Sequence, residues 1–96
     1  MEARKIIITG GATRIGAAIA KQLSGTNKEI LIQFNKSKSK AEKLKKDLEL
    51  NGTKVYLVKG DLSKEIDVSK IVKYAKSKLK YFDCLINNAS LFENDK

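Results

Sequence analysis

The stretch IIITGGATRIGAAIA, residues 6–20, decides the fold. Ile6–Ile8 form an apolar β-branched run, Thr9, Gly10 and Gly11 interrupt it, and Ile15, Ile19 and Leu23 then recur at four-residue steps. The period changes from that of a strand to that of one helical face. The expectation is a strand over Lys5–Thr9 buried on both sides, a glycine turn and an amphipathic helix. Gly25 follows Ser24 where a left-handed cap would end that helix.

Outward from this junction the same unit returns. EILIQF (Glu29–Phe34) reads as a second strand, followed by a helical stripe of Ala41, Leu44 and Leu48 that Asn51-Gly52 stops. KVYLVK (Lys54–Lys59) reads as a third strand, and Ser63 is placed to cap a helix striped by Val68, Ile71, Val72, Ala75 and Leu79. FDCLIN (Phe82–Asn87) reads as a fourth strand, and the last nine residues carry no periodic signal. Strands alternating with helices imply right-handed crossovers and a parallel sheet with helices on both faces. The expected strand order is 3-2-1-4, with a ligand crevice outside the carboxyl ends of the strands where the order switches. Thr9, Asn35, Asp61 and Asn88 all fall at those ends.

Composition narrows the function classes. With 96 residues the chain is expected to be one domain, 1–96, with a thin core. No run approaches the length of a membrane span and the start lacks the pattern of a secretion signal, so a cytoplasmic location and no membrane partner are expected. Histidine is absent, which removes histidine catalysis and histidine–metal sites, and no metal is expected. The lone Cys84, set in an apolar run, reads as a small buried hydrophobe. The net charge of +9 comes largely from lysines at 36–46 and 70–80, both helical in pattern, so solvated helix faces are expected in preference to a nucleic-acid surface.

The glycine turn has a physical reading. First-turn amides of a helix have no internal partners and the helix dipole favours negative charge there, so a turn that lets backbone approach closely makes an anion site suited to phosphate. Gly10 permits the turn, Gly16 lets helix and strand pack closely or phosphate oxygens approach, and Arg14 adds planar donors for a phosphate or a polar ring. A plain tight turn would use the same glycines.

The spacing is TGxxxRxG, from Thr9 through Gly10, Arg14 and Gly16. It resembles the short-chain dehydrogenase/reductase family, whose usual turn is TGxxxGxG, and Arg14 at the middle-glycine position resembles the branch of pteridine and dihydrofolate reductases. The resemblance runs from Lys5 to Phe92 and implies a Rossmann-like fold, truncated relative to the whole family fold. It also implies a cofactor site formed by Gly10, Arg14, Ile15, Gly16, Asn35, Lys36, Ser37, Asp61, Leu62, Asn88, Ala89 and Ser90.

At Asn35, 19 residues past Gly16, NAD enzymes keep an acid for the ribose hydroxyl. Here Asn35, Lys36 and Ser37 would instead accept a 2′-phosphate, which favours NADPH. In the resembled family an aspartate at the place of Asp61 contacts the adenine edge, and a segment like NNAS (Asn87–Ser90) passes the ribose. Serine at 90 and phenylalanine at 92 again resemble the pteridine-reductase branch, which implies substrate contacts from Arg14, Ser90 and Phe92, the last by stacking on a flat ring. Leu91 departs from the small polar residue expected there.

The family's acid–base tyrosine and lysine follow a fifth strand, so no catalytic residue is expected in this chain. Tyr74 and Lys78 do show the YxxxK spacing, but they precede NNAS on a lysine-rich helix, and the match reads as accidental. The expectation is an NADPH-binding N-terminal segment of a short-chain reductase acting on a pteridine-like or carbonyl substrate. The alternatives are a non-catalytic nucleotide-binding or protein-interaction module and, less favoured, a basic nucleic-acid binder. A bare fourth strand would invite a complementary C-terminal chain or self-association.

Overall fold

A computed structural model describes residues 4–88. Seven elements alternate in order: β1 (Lys5–Thr9), α1 (Arg14–Leu23), β2 (Glu29–Phe34), α2 (Lys38–Glu49), β3 (Lys54–Lys59), α3 (Glu65–Leu79) and β4 (Cys84–Asn87). The four strands form one parallel sheet in the order β3-β2-β1-β4, as expected. The register aligns Thr9 with Gln33 on one side and with Asn87 on the other, and Gln33 with Val58, so the carboxyl ends of the strands form one rim.

Strand alternation sends neighbouring residues to opposite layers. Ile6, Ile8, Ile30 and Ile32 pack with Ala20 of α1 and Leu44 and Leu48 of α2 on one face. Ile7 and Leu31 pack with Leu79 of α3 on the other, with Tyr74 and Ala75 beside them. Helices therefore lie on both faces, and β1 and β2 are buried from both sides.

Local readings needed correction where a distant group intervenes. The first helix does not end on a left-handed Gly25: Gly25 has φ +154°, Ser24 is extended, and the Ser24 hydroxyl donates to the Lys21 carbonyl at 2.9 Å. Ser63 does not cap α3; the cap position is Lys64, and the Ser63 hydroxyl is turned back to Asp61 Oδ1 at 2.7 Å. The fourth strand begins at Cys84 instead of Phe82, because the Asp83 carboxylate accepts the backbone N–H groups of Arg4 and Lys5, both at 2.9 Å, ahead of the β1–β4 ladder. Cys84 is half-buried against the first core cluster.

The apolar stripes of α1 and α3 are also less covered than their periodicity implies. Ile15 is 49% exposed, Val72 48% and Leu85 of β4 54%. All three lie on the β4 flank of the molecule, at grooves on either side of that strand: one of about 600 Å³ bordered by Ile15, Ile19, Leu23 and Ile86, the other of about 530 Å³ bordered by Val72, Ala75, Phe82 and Leu85. No described helix is long and apolar enough to cross a membrane.

Candidate functional site at the strand tips

The turn after β1 is built by three glycines with different tasks. Gly10 has φ +65°, a left-handed conformation that side chains resist. A Cβ on Gly11 would come within 2.7 Å of Ile32 Cγ2, so Gly11 seats the turn on β2. A Cβ on Gly16 would strike the Gly10 carbonyl, lie 2.7 Å from Gly11 Cα and 2.9 Å from Asn88 Nδ2. Of the two uses foreseen for Gly16, close packing of helix on turn is therefore the one the geometry requires.

Thr13 then opens α1. Its hydroxyl donates to the Gly10 carbonyl at 2.8 Å and accepts the Gly16 N–H at 3.1 Å, a side-chain cap of the kind that satisfies first-turn amides. Asn88, 1% exposed at the end of β4, donates from Nδ2 to the Gly10 carbonyl at 2.9 Å and to Thr13 Oγ1 at 3.0 Å. With Gly16 occupied by the cap, the Arg14 and Ile15 amides are the first-turn donors without an intrahelical acceptor. The Arg14 side chain is exposed beside them.

After β2, Asn35 and Lys36 are exposed and Ser37 stands at the start of α2, where its side chain makes no capping bond. Neither α1 nor α2 carries an acid in its first turn, whereas α3 carries Glu65 and Asp67. The two helix starts that face the expected phosphate positions thus keep their positive end uncompensated, while the third is neutralised from within the chain.

After β3, the half-buried Asp61 accepts the Ser63 hydroxyl and, at 2.9 Å, the Ser63 backbone N–H on one oxygen. These bonds, with smaller contributions from the Lys64 and Lys36 ammonium groups, hold its carboxyl below the ordinary range. Asp61 is therefore an ionised acceptor on the rim, close enough to Lys36 to feel its charge, with Leu62 next to it. Of the residues singled out in the sequence, Gly10, Arg14, Ile15, Gly16, Asn35, Lys36, Ser37, Asp61, Leu62 and Asn88 all lie at this rim or in the turns leaving it. Ala89, Ser90 and Phe92 lie outside the described residues.

Tyr74 and Lys78 are not at the rim. Tyr74 sits nine residues into α3, about 14 Å along the axis from the helix start. Its ring packs beside Ile7, Leu31 and Leu79, with Lys78 Nζ 5.7 Å from the ring centroid, an arrangement that serves packing.

Two residues with roles here escaped the sequence reading. Thr13 carried a signal in being a threonine immediately before a helix start. Gln33 carried another: it is the one polar side chain inside the apolar run ILIQF, yet it is 2% exposed.

Comparison with known proteins places this geometry. Residues 4–96 match the model of the short chain dehydrogenase family. An uncharacterised oxidoreductase from Methylorubrum extorquens is 28% identical over 93 residues, which cover 97% of this chain and 38% of that protein. The crystal structure of a short-chain dehydrogenase from Oenococcus oeni superposes with a TM-score of 0.78 at 33% identity, over 90% of this chain and 40% of the other. FolM alternative dihydrofolate reductase 1 from Brucella suis, in complex with NADP, superposes with a TM-score of 0.79 at 34% identity, over 94% of this chain and 37% of the other. The chain thus spans about two-fifths of the length of these relatives. With its Rossmann-like sheet, its glycine turn and these matches, the chain belongs to the short-chain dehydrogenase family.

Proposed function

We propose that this chain is the NADPH-binding N-terminal segment of a short-chain reductase, residues 1–96 forming part of its dinucleotide-binding domain. The carrying observation is the start of α1: Gly10 and Gly16 bring the helix onto the turn so closely that a side chain at 16 would strike it, and the helix opens on the Arg14 and Ile15 amides, free of intrahelical acceptors, with the exposed Arg14 side chain beside them. The donor set fits a diphosphate, since amides at a helix start and a planar cation are the groups that bind phosphate oxygens. Asn35, Lys36 and Ser37 at the start of α2 would hold a 2′-phosphate, Asp61 and Leu62 the adenine, and the segment of Asn88, Ala89 and Ser90 would pass the ribose side, the buried Asn88 side chain acting through the turn it holds. The NADP complex of the Brucella suis relative supports the choice of cofactor.

When bound, such a cofactor supplies hydride. In the whole enzyme the acceptor would be the C=N bond of a pteridine or dihydrofolate, or a carbonyl, with Arg14, Ser90 and Phe92 toward the substrate. No residue of this chain is assigned proton transfer. The exposed apolar grooves on both sides of β4 support docking of a further strand-and-helix segment there, either covalently continuous or as a complementary chain. The cytoplasm remains the proposed location.

The test is cofactor preference. Lys36→Glu is expected to weaken NADPH about 10- to 100-fold, as loss of a charge-assisted contact and gain of a repulsion would, while NADH changes less than about threefold. Equal losses for the two cofactors would remove the 2′-phosphate assignment. Binding to DNA that weakens with salt, without any NADPH binding, would favour a nucleic-acid role.

A further inference from the structure

Gln33 occupies the penultimate position of β2, and its side chain bridges two loops. Its Oε1 accepts the Gly10 N–H at 2.8 Å, and its Nε2 donates to the Gly60 carbonyl at 2.7 Å. Its own backbone carbonyl accepts the Gly11 N–H at 3.2 Å. Being 2% exposed, it presents almost no surface to a ligand and acts only through what it holds.

What it holds is the centre of a hydrogen-bonded chain across the rim. Asn88 from β4 holds the Gly10 carbonyl, and Gln33 holds the Gly10 N–H. On the other side, Gln33 holds the carbonyl of the Gly60–Asp61 peptide, and Asp67 Oδ2 of α3 accepts the Asp61 N–H of that same peptide at 2.8 Å. The Gly60 N–H in turn donates to the Phe34 carbonyl at 2.9 Å. A Cβ on Gly60 would come within 2.8 Å of Ile71 Cδ1, so the peptide is also pressed close to α3. The orientation of the Asp61 backbone is therefore fixed from two sides, and one of those two is Gln33.

We propose that Gln33 is a positioning residue that couples the glycine turn to the loop carrying Asp61, so that ordering of one half of a bound dinucleotide's site prepares the other. The proposal rests on the dinucleotide reading above. Its physical basis is that a buried side-chain amide whose oxygen is bonded to one loop and whose nitrogen is bonded to another transmits displacement between them through short bonds in a low-dielectric setting. An apolar side chain of the same length would leave the Gly10 N–H and the Gly60 carbonyl without that shared partner.

The experiment compares the whole cofactor with one of its halves. Wild-type protein and Gln33→Met are titrated with NADPH and with adenosine 2′-monophosphate, which carries the adenine and 2′-phosphate but no part of the diphosphate that the glycine turn would bind. The titrations are run well below the melting temperature of each, with the fold checked by circular dichroism. Gln33→Met is expected to weaken NADPH about tenfold and the monophosphate less than threefold. Equal NADPH affinity in folded wild type and variant, or equal losses for both ligands, overturns the coupling. A second measurement needs no variant: in 15N-labelled wild type, the monophosphate is expected to shift the Gly10 amide resonance. An unmoved Gly10 resonance at saturating monophosphate contradicts the proposal. Failure of wild type to bind NADPH at all overturns the dinucleotide reading itself, a result distinct from the others.

Discussion

The middle of the sheet and its β4 flank are made of similar residues and live in different surroundings. Ile30, Leu31 and Ile32 of β2 are 0% exposed, covered by helices from both faces and by a strand on each side. Leu85 of β4 alternates in the same way, yet it is 54% exposed, with Val72 of α3 exposed on its side and Ile15 of α1 on the opposite one. The difference is one of neighbours, since the β4 flank has the apolar pattern of an interior and, among the described residues, no layer covers it. A parallel sheet needs both faces covered, and among the described residues this one is covered on both faces around β1 and β2.

Substitutions can break or sharpen that contrast. The largest effect is expected at the centre, where Ile32→Ala should cost about 2–5 kcal/mol by removing buried methyl groups from a site packed on all sides. Chemical denaturation measures it. Gly16→Ala comes next, at about 1–3 kcal/mol, because the new methyl group meets backbone that cannot rotate away. The same variant should lose NADPH binding when titrated while folded.

Leu85→Ser should change stability by less than about 0.5 kcal/mol, the ordinary range for a surface position. It should also reduce any concentration dependence of the melting temperature, since an exposed apolar strand edge promotes association. A cost at Leu85 as large as that at Ile32 would show that the flank is covered in solution and that the contrast is wrong.

The smallest effect concerns acid. Backbone N–H bonds from Lys5 and then Arg4, aided by those residues' charges, hold the Asp83 carboxyl below its ordinary range. A depressed carboxyl stabilises the fold at pH values above its unfolded value of about 4, and that contribution disappears as pH falls through the lower folded value. Asp83→Asn should therefore lower the melting temperature slightly at pH 7 and flatten its decline below about pH 4. Thermal scans across pH check both.

The same contrast explains what could be read from the chain. β1, β2 and β3 lie where the apolar runs and turn residues place them: β1 and β2 are buried from both sides and have little freedom to begin elsewhere, and β3 is held in register along the whole of β2. The start of β4, the end of α1 and the cap of α3 were misread, because each is set by a partner far along the chain or by an unexpected local bond: Asp83 holding Arg4 and Lys5, Ser24 reaching Lys21, Ser63 folding back on Asp61. The apolar stripes of α1 and α3 were visible, but periodicity reports which face is apolar and not whether anything covers it.

At the rim, the glycines and their charged company were legible from spacing. The clasp formed by Thr13, Gln33 and Asn88 was not, since it depends on strand order and register. A glutamine in an apolar strand announces a buried polar partner without saying which loop supplies it.

The most direct measurement is a titration of 15N-labelled protein with NADP+, followed by its amide resonances. The account predicts that the largest shifts fall on Arg14, Ile15 and Gly16 at the start of α1 and on Asn35, Lys36 and Ser37 before α2, with smaller ones at Asp61 and Leu62. Shifts confined to the grooves beside β4, or no shifts at millimolar NADP+, would contradict it.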